Sequence, residues 1–282
     1  MSNIIIMTDT ASDIDLETAK KYGIHLIPIN ISFDGVNFKD RYELTSGEFY
    51  ERLKSGVIPK TSQITVAEHY EEFKKYEGNT VIYIPLSARA SGTYQSANIA
   101  KQTLEDEGAD IDINIIECTT FTYGYGMWVI KAAQMAKDGS DKQQIIDMLN
   151  ENIKNTEIIL TVDDLKYLQK GGRISSSAKL VASVLDIKPI LAIEDGLVMS
   201  RDKVRGSKKV FPKMIEILKA DAKPDVNQTI AVMHGNCPEK AETVANLIKE
   251  KTEFKNIITV EVGPCIGVHT GAGVIGIAYL KK

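Results

Sequence analysis

Short apolar runs alternate with amphipathic stretches along the first half of the chain. "NIIIMTD" (residues 3–9) is a continuous β-branched run, and "DLETAKKYG" after it carries helical spacing closed by Gly23. "IHLIPINISF" (24–33) reads as a second strand, with "FDGVNF" as its hairpin turn. "TVIYIPLS" (80–87) and "IDINIIE" (111–117) read as a third and a fourth strand. Helical patterns fill the intervals: "SGEFYERLKS", "VAEHYEEFKKY", "SGTYQSANIAKQTLEDEG", "YGMWVIKAAQMAKD" and "KQQIIDMLNENIKN". Two of these are preceded by capping boxes, Thr45 with Glu48 and Thr65 with Glu68, in which hydroxyl and carboxylate satisfy each other's backbone amides. Strands alternating with helices predict α/β architecture with a mainly parallel sheet.

The pattern changes near Asn155. "KPILAIEDGLVMSR" is two β-runs around Asp195-Gly196, a hairpin signal that requires antiparallel pairing. Helix "VFPKMIEILKA", strand "QTIAVMHG", helix "PEKAETVANLIKEK" and strand "NIITVEV" follow, then a glycine-rich close. The expectation is two α/β domains, residues 1–155 with a mainly parallel sheet and 156–282 with a mixed one, and a ligand site in the cleft between them.

Composition removes several function classes. Of 282 residues, 43% are apolar and 26% charged, with a net charge of −4, so nucleic acid has no global electrostatic attraction to this chain. No apolar run approaches the roughly 18 residues of a membrane span, and the start lacks a signal-peptide pattern. Cys118, Cys237 and Cys265 are odd in number and widely spaced, which predicts buried free thiols and a cytoplasmic compartment. The four histidines show no ligand pairing, so no metal site is expected.

"GVHTGAGVIG" contains a literal G-x-G-x-x-G at Gly271, Gly273 and Gly276. A dinucleotide turn needs a following helix and an acid about 20 residues on, whereas only "IAYLKK" follows and it reads as a β-run. The nucleotide reading fails. His269 and Thr270, read as lying on a turn, could instead meet a carboxylate or acyl phosphate, although a lone His is more often structural. "KTSQIT" places Thr61 and Ser62 before a capped helix, suited either to an anion or to a plain turn. In "LSARASGTYQSA", Ser91-Gly92-Thr93 opens a helix after a strand, where amide donors face a ligand or Ser91 simply caps. "LKYLQKGGR" ends a helix with a glycine pair and presents Arg173, an oxyanion partner or an ordinary surface charge. "RDKVRGSKK" gathers Arg201, Lys203, Arg205, Lys208 and Lys209 on a solvated face or a docking patch for an acidic partner. Asp9, Asp13 and Asp15 gather at the mouth of the first strand, where capping accounts for Asp13 or Asp15 and no magnesium site is complete. No nucleophile elbow, Walker A sequence or kinase signature is present, so these elements hold a ligand rather than transform it.

Taken in order, "TDTASDI", "TSQIT", "LSARASGTYQSA", "LKYLQKGGRIS", "LDIKPILAIEDG", "KVRGSKK", "MHGNCPEKAE" and "GVHTGAGVIG" span nearly the whole chain and closely resemble the DegV family. The resemblance implies a long-chain fatty acid bound between two α/β domains. It also implies a role like that of the fatty-acid-binding subunit of bacterial fatty acid kinase, which presents the carboxylate to a separate ATP-dependent kinase subunit for acyl-phosphate formation and phospholipid synthesis. By the same resemblance, Thr61, Ser62 and the Ser91–Thr93 turn contact the carboxylate, His269 and Thr270 complete the head-group site, and Arg173 stabilises charge on the acyl phosphate. Arg201, Lys203 and Arg205 fall in the region implicated in kinase docking. No cofactor and no stable membrane insertion are implied. Two positions depart from the commoner pattern: Ile64 stands where many relatives have Pro, and "ECTTFTYGYG" begins with Glu117-Cys118 rather than Asp and a small hydroxyl residue.

A fatty-acid tail of about 16 carbons is worth roughly 12 kcal/mol gross when buried, much of it cancelled by ordering. The tail would supply affinity and the polar mouth orientation. Two other readings stand beside this one: a small-molecule kinase of related fold, acting for instance on a hydroxy-ketone, and a lipid sensor without a kinase partner.

Overall fold

The computed structural model describes residues 3–175 and 187–282. The first half runs β1 (Ile4–Asp9), α1 (Leu16–Tyr22), β2 (His25–Ile27), β3 (Asn30–Phe33), β4 (Val36–Lys39), α2 (Ser46–Leu53) and β5 (Lys60–Ser62). It continues through α3 (Val66–Lys74), β6 (Thr80–Ile84), α4 (Thr93–Asp106), β7 (Asp112–Ile115), α5 (Tyr123–Lys137) and α6 (Lys142–Asn155). The second half runs β8 (Thr156–Thr161), α7 (Leu165–Gly171), β9 (Ile187–Glu194), β10 (Leu197–Arg205) and α8 (Val210–Asp221). It closes with β11 (Thr229–His234), α9 (Pro238–Lys251), β12 (Asn256–Glu261), α10 (Pro264–Thr270) and β13 (Ile275–Leu280).

The architecture is α/β. One sheet, β2-β1-β6-β7, is wholly parallel. Of its two central strands, β6 is buried at every residue, as a strand covered by helices on both faces must be. A six-stranded mixed sheet, β10-β9-β8-β13-β11-β12, organises the second half, and a small antiparallel sheet, β4-β3-β5, lies apart from both. The two Asp-Gly hairpins form as expected: Asp34 and Gly35, and Asp195 and Gly196, all have positive φ, the backbone that a twisted two-residue turn requires. Both anticipated capping boxes are present, and Asp141 with Gln144 makes another at α6.

Three local readings are corrected by the structure. "IHLIPINISF" is two strands: β2 pairs with β1, whereas β3 joins the antiparallel sheet. Pro28, which has no amide to donate, stands between them. "KTSQIT" contains a strand, β5, whose Thr61 and Ser62 pair with Ile31 and Asn30 of β3. "VHTGAG" is not a turn throughout, because His269 and Thr270 belong to the last turn of α10 and only Gly271 and Gly273 take positive φ. Pro264 at the first turn of that helix is the starting signal.

The Asp13 side chain does not cap a helix; only its backbone amide closes the short turn after β1, donating to the Thr10 carbonyl. Asp15 caps α1, accepting from the Thr18 amide, and Asp9 caps the short turn after β1. Asp13 is instead fully buried, accepting from Arg41 Nη2 at 2.8 Å, from the Gly263 amide at 2.8 Å and from the Thr122 hydroxyl. Asp9 accepts from the Leu86 amide and from Tyr125 at 2.7 Å. Burial pushes Asp9 up to about 6, against the hydrogen bonds that favour its charge. Asp40 lies beside them with no well-formed hydrogen bond; burial pushes it up to about 7, opposed by Arg41 and by the nearby Thr10 hydroxyl and Cys265 amide. These carboxyls join stretches far apart in sequence and fix how α10 seats against the first half. The three cysteines are buried and unbridged, and among the described residues no helix is long and apolar enough to cross a membrane.

Removing one partner of a buried ion pair strands the other. Asp13→Ala is expected to lower the unfolding free energy by about 3–5 kcal/mol, read from urea denaturation. A loss below about 1 kcal/mol, the level of an exposed pair, would show that the cluster does not hold the fold.

Candidate functional site

A cavity of about 890 Å³ of empty space, its open mouth included, lies where the second-half sheet faces the loops that follow β6 and β7. Its body is apolar, walled by Leu86, Phe121, Ile158, Leu160, Leu168 and Met233 among others. At its polar part are Thr61, Ser62, Gln63, Ser91, Arg173, His269 and Thr270. Six of the eight residues singled out in the sequence for ligand contact therefore meet in one place.

Each is delivered by a definite element. Thr61 and Ser62 come from the edge strand β5. Ser91 stands just before α4, where its Oγ accepts from the Thr93 amide at 3.2 Å and lies 2.9 Å from the Thr93 hydroxyl. Ser91 thus supports the helix start and faces the cavity as well. Gly92 and Thr93 are outside the cavity wall. Thr93 accepts from the Ile64 amide at 3.3 Å, and Gly92 lies under Gln63: a Cβ there would come within 2.0 Å of Gln63 Oε1. Gln63, overlooked in the sequence, is held by donating to Ser96 Oγ at 2.8 Å.

Arg173 follows the glycine pair that ends α7, where Gly172 takes the left-handed conformation at φ 68°. Its guanidinium donates from Nε to the Ala90 carbonyl at 3.0 Å and from Nη1 to the Gly171 carbonyl. That places a permanent cation between the α7 end and the loop before α4, rather than on an open surface. The same loop is gripped again by the β9–β10 hairpin, through the Arg89–Asp195 ion pair and Ser87 Oγ to the Gly196 carbonyl at 3.4 Å.

His269 Nε2 lies 3.0 Å from Thr61 Oγ1. Its Nδ1 is buried without a hydrogen-bond partner among the described residues, directly against Gly171, where a Cβ would sit 2.5 Å from it. Only glycine fits there. Burial, and then the Arg173 charge, push the His269 pKa down to about 4, so the ring is neutral at pH 7. The Thr270 hydroxyl donates back to the Ile266 carbonyl at 3.2 Å.

A second opening reaches the same polar residues from outside. It is lined by Lys60, Thr61, Lys170, Arg173 and His269, with Ile58, Pro59, Gly171 and Val268. Thr61, Arg173 and His269 thus form a septum with an apolar chamber on one side and a basic opening on the other. Lys60 and Lys170 were not singled out in the sequence, though each lies within a quoted motif, "KTSQIT" and "LKYLQKGGR". Arg201, Lys203 and Arg205 lie elsewhere, exposed on the edge strand β10, with Arg201 paired to Asp221 at 2.6 Å.

A model of the DegV family, described as uncharacterised protein, matches residues 3–282. The chain belongs to the DegV family. A DegV domain-containing protein of Clostridium perfringens is 35% identical over 99% of this chain and 98% of its own length. Among solved structures, DegV of Bacillus subtilis, described as a fatty acid binding protein, superposes with a TM-score of 0.89 at 31% identity, covering 100% of both chains. A protein from Eubacterium ventriosum, described as binding stearic acid, gives 0.87 at 26% identity, covering 100% of this chain and 99% of its own. The two-domain α/β fold of this DegV chain is that of its relatives.

His269 is expected to stay neutral from pH 8 to about 5 and to titrate near 4, against an ordinary value of 6.5. Because the unfolded ring takes its proton first, its contribution to stability is complete above 6.5 and is lost as pH falls toward 4. Ring-proton NMR, assigned with His269→Gln, checks this; a midpoint at 6.5 or above contradicts it.

Proposed function

We propose that this chain binds a long-chain fatty acid, with the tail in the apolar chamber and the carboxylate at the septum. The observation that carries the reading is the septum itself: a greasy cavity closed at one end by hydroxyls, a neutral imidazole and one guanidinium, which a basic opening also reaches. The fatty acid and stearic acid ascribed to the Bacillus subtilis and Eubacterium ventriosum proteins support it. Thr61, Ser62 and Ser91 offer hydroxyl donors, Arg173 offers charge, and His269 offers one N–H. Thr93 holds Ser91 in place, Gly92 leaves room for Gln63, and Thr270, whose proton goes to Ile266, contributes wall and an acceptor.

In this reading the chain has no chemistry of its own. It works in the cytoplasm, dividing into lobes at 155/156, and hands the carboxylate through the basic opening to a separate ATP-dependent kinase that makes the acyl phosphate. Lys60, Lys170 and Arg173 surround the place where phosphoryl oxygens would arrive, and charge-assisted hydrogen bonds are the strong ones. The exposed run Arg201, Lys203 and Arg205 serves as the face for an acidic surface on that partner.

Native mass spectrometry of the purified chain is expected to find one fatty acid per molecule, released on extraction. Ser91→Ala or His269→Ala should weaken uptake about tenfold or more, the worth of a hydrogen bond to a charged group, and should weaken it more than it weakens folding, as read from urea denaturation. A chain that neither carries nor takes up fatty acid would defeat the proposal. Hydrolysis of ATP by the isolated chain would move the reading to a kinase in its own right.

A further inference from the structure

Gly276 ends the G-x-G-x-x-G run, which lacks the helix a dinucleotide turn requires, and it sits inside strand β13, not in a turn. Its φ lies outside the left-handed region, so nothing in the backbone calls for glycine. A glycine within a strand weakens it unless something must come close.

The sheet shows what comes close. Gly276 pairs with Leu160 of β8 on one side and Met233 of β11 on the other, and all three line the cavity. A full-sized side chain therefore stands on each side of an empty position. Strand alternation gives β13 two unlike faces. Ile275, Ile277 and Tyr279 pack into the core beneath the sheet, whereas Val274 and Gly276 face the cavity. The next residue on that face, Ala278, pairs with Ile158 and Ala231 and is fully buried outside the cavity wall. Along β13, Gly276 is thus the last residue to touch the cavity. A Cβ here would lie 3.0 Å from Met233 Cε and otherwise in ordinary contact, so the position has room for a side chain once the flexible Met tip gives.

We propose that the notch at Gly276, with Met233 as its movable wall, receives part of the acyl chain and sets the longest chain the cavity accepts. This rests on the fatty-acid reading above. A side chain at 276 would occupy the space that methylenes take, leaving the head-group residues untouched.

The test is competition: delipidated protein is equilibrated with equal stearate and myristate, and the bound lipid is extracted and quantified. For Gly276→Val the bound stearate-to-myristate ratio is expected to fall about tenfold, the equivalent of losing room for roughly two methylenes. Gly276→Ala should move it less in the same direction. Adding Met233→Ala to Gly276→Val should return the ratio toward wild type, which a change in stability alone would not do. Ile277→Val, on the opposite face, should leave it unchanged. A folded Gly276→Val protein with the wild-type ratio overturns the inference while leaving fatty-acid binding standing; should that variant not fold, an unchanged ratio in Gly276→Ala overturns it equally. Wild-type protein that takes up neither acid overturns the fatty-acid reading, and this inference with it.

Discussion

A carboxylate removed from water must be given donors, and Asp13 draws its own from three distant stretches of chain. Arg41 comes from the loop after β4, the Thr122 hydroxyl from the start of α5, and the Gly263 amide from the start of α10. Each of the last two stretches also contributes cavity wall: Thr122 itself, and Val262, Cys265 and Ile266 around Gly263. Asp9 acts in the same way on Leu86 and Tyr125. The chamber keeps its shape because these carboxylates would be left uncompensated if any of the segments withdrew. Apolar contact alone would tolerate many arrangements of the same walls; directional bonds to buried carboxylates tolerate few.

The polar end of the chamber follows a different economy. Among its described residues only Arg173 carries a fixed charge facing the cavity, and its guanidinium is already bonded to two carbonyls. The imidazole is kept neutral by burial and by that cation. An arriving anion would meet mostly dipoles, in a setting where low polarity strengthens each of them. Under the fatty-acid proposal, such a site would orient a head group without binding it irreversibly, and the length of the tail would then govern affinity.

Much of this organisation is visible in the chain before folding. The parallel strands announce themselves as β-branched runs, the hairpins as Asp34-Gly35 and Asp195-Gly196, and the helix starts as Thr-x-x-Glu pairs. Cavity-lining residues on motifs with unusual turn chemistry, such as Ser91 and Arg173, are equally visible. Short and context-dependent elements are not. Strand β5 is three polar residues whose pairing is decided by β3, and α10 hides its helical turn among glycines. Asp13 looks like any capping acid until Arg41 closes on it from 28 residues away. The apolar wall is the least visible part, because adjacent residues on one strand divide between roles: Leu160 faces the cavity and Ile159 the core below it.

The septum has a thermodynamic corollary. Thr61, Arg173 and His269 border both the apolar chamber and the basic opening, so whatever occupies one compartment changes the field and the hydrogen bonds offered to the other. Linkage then runs in both directions with equal magnitude: an occupant of the chamber alters how firmly an anion or a partner's acidic group is held outside, by the same factor that the outside group alters retention within. A wall made of three side chains, each touching both compartments, is in this sense a means of reporting whether the molecule is loaded.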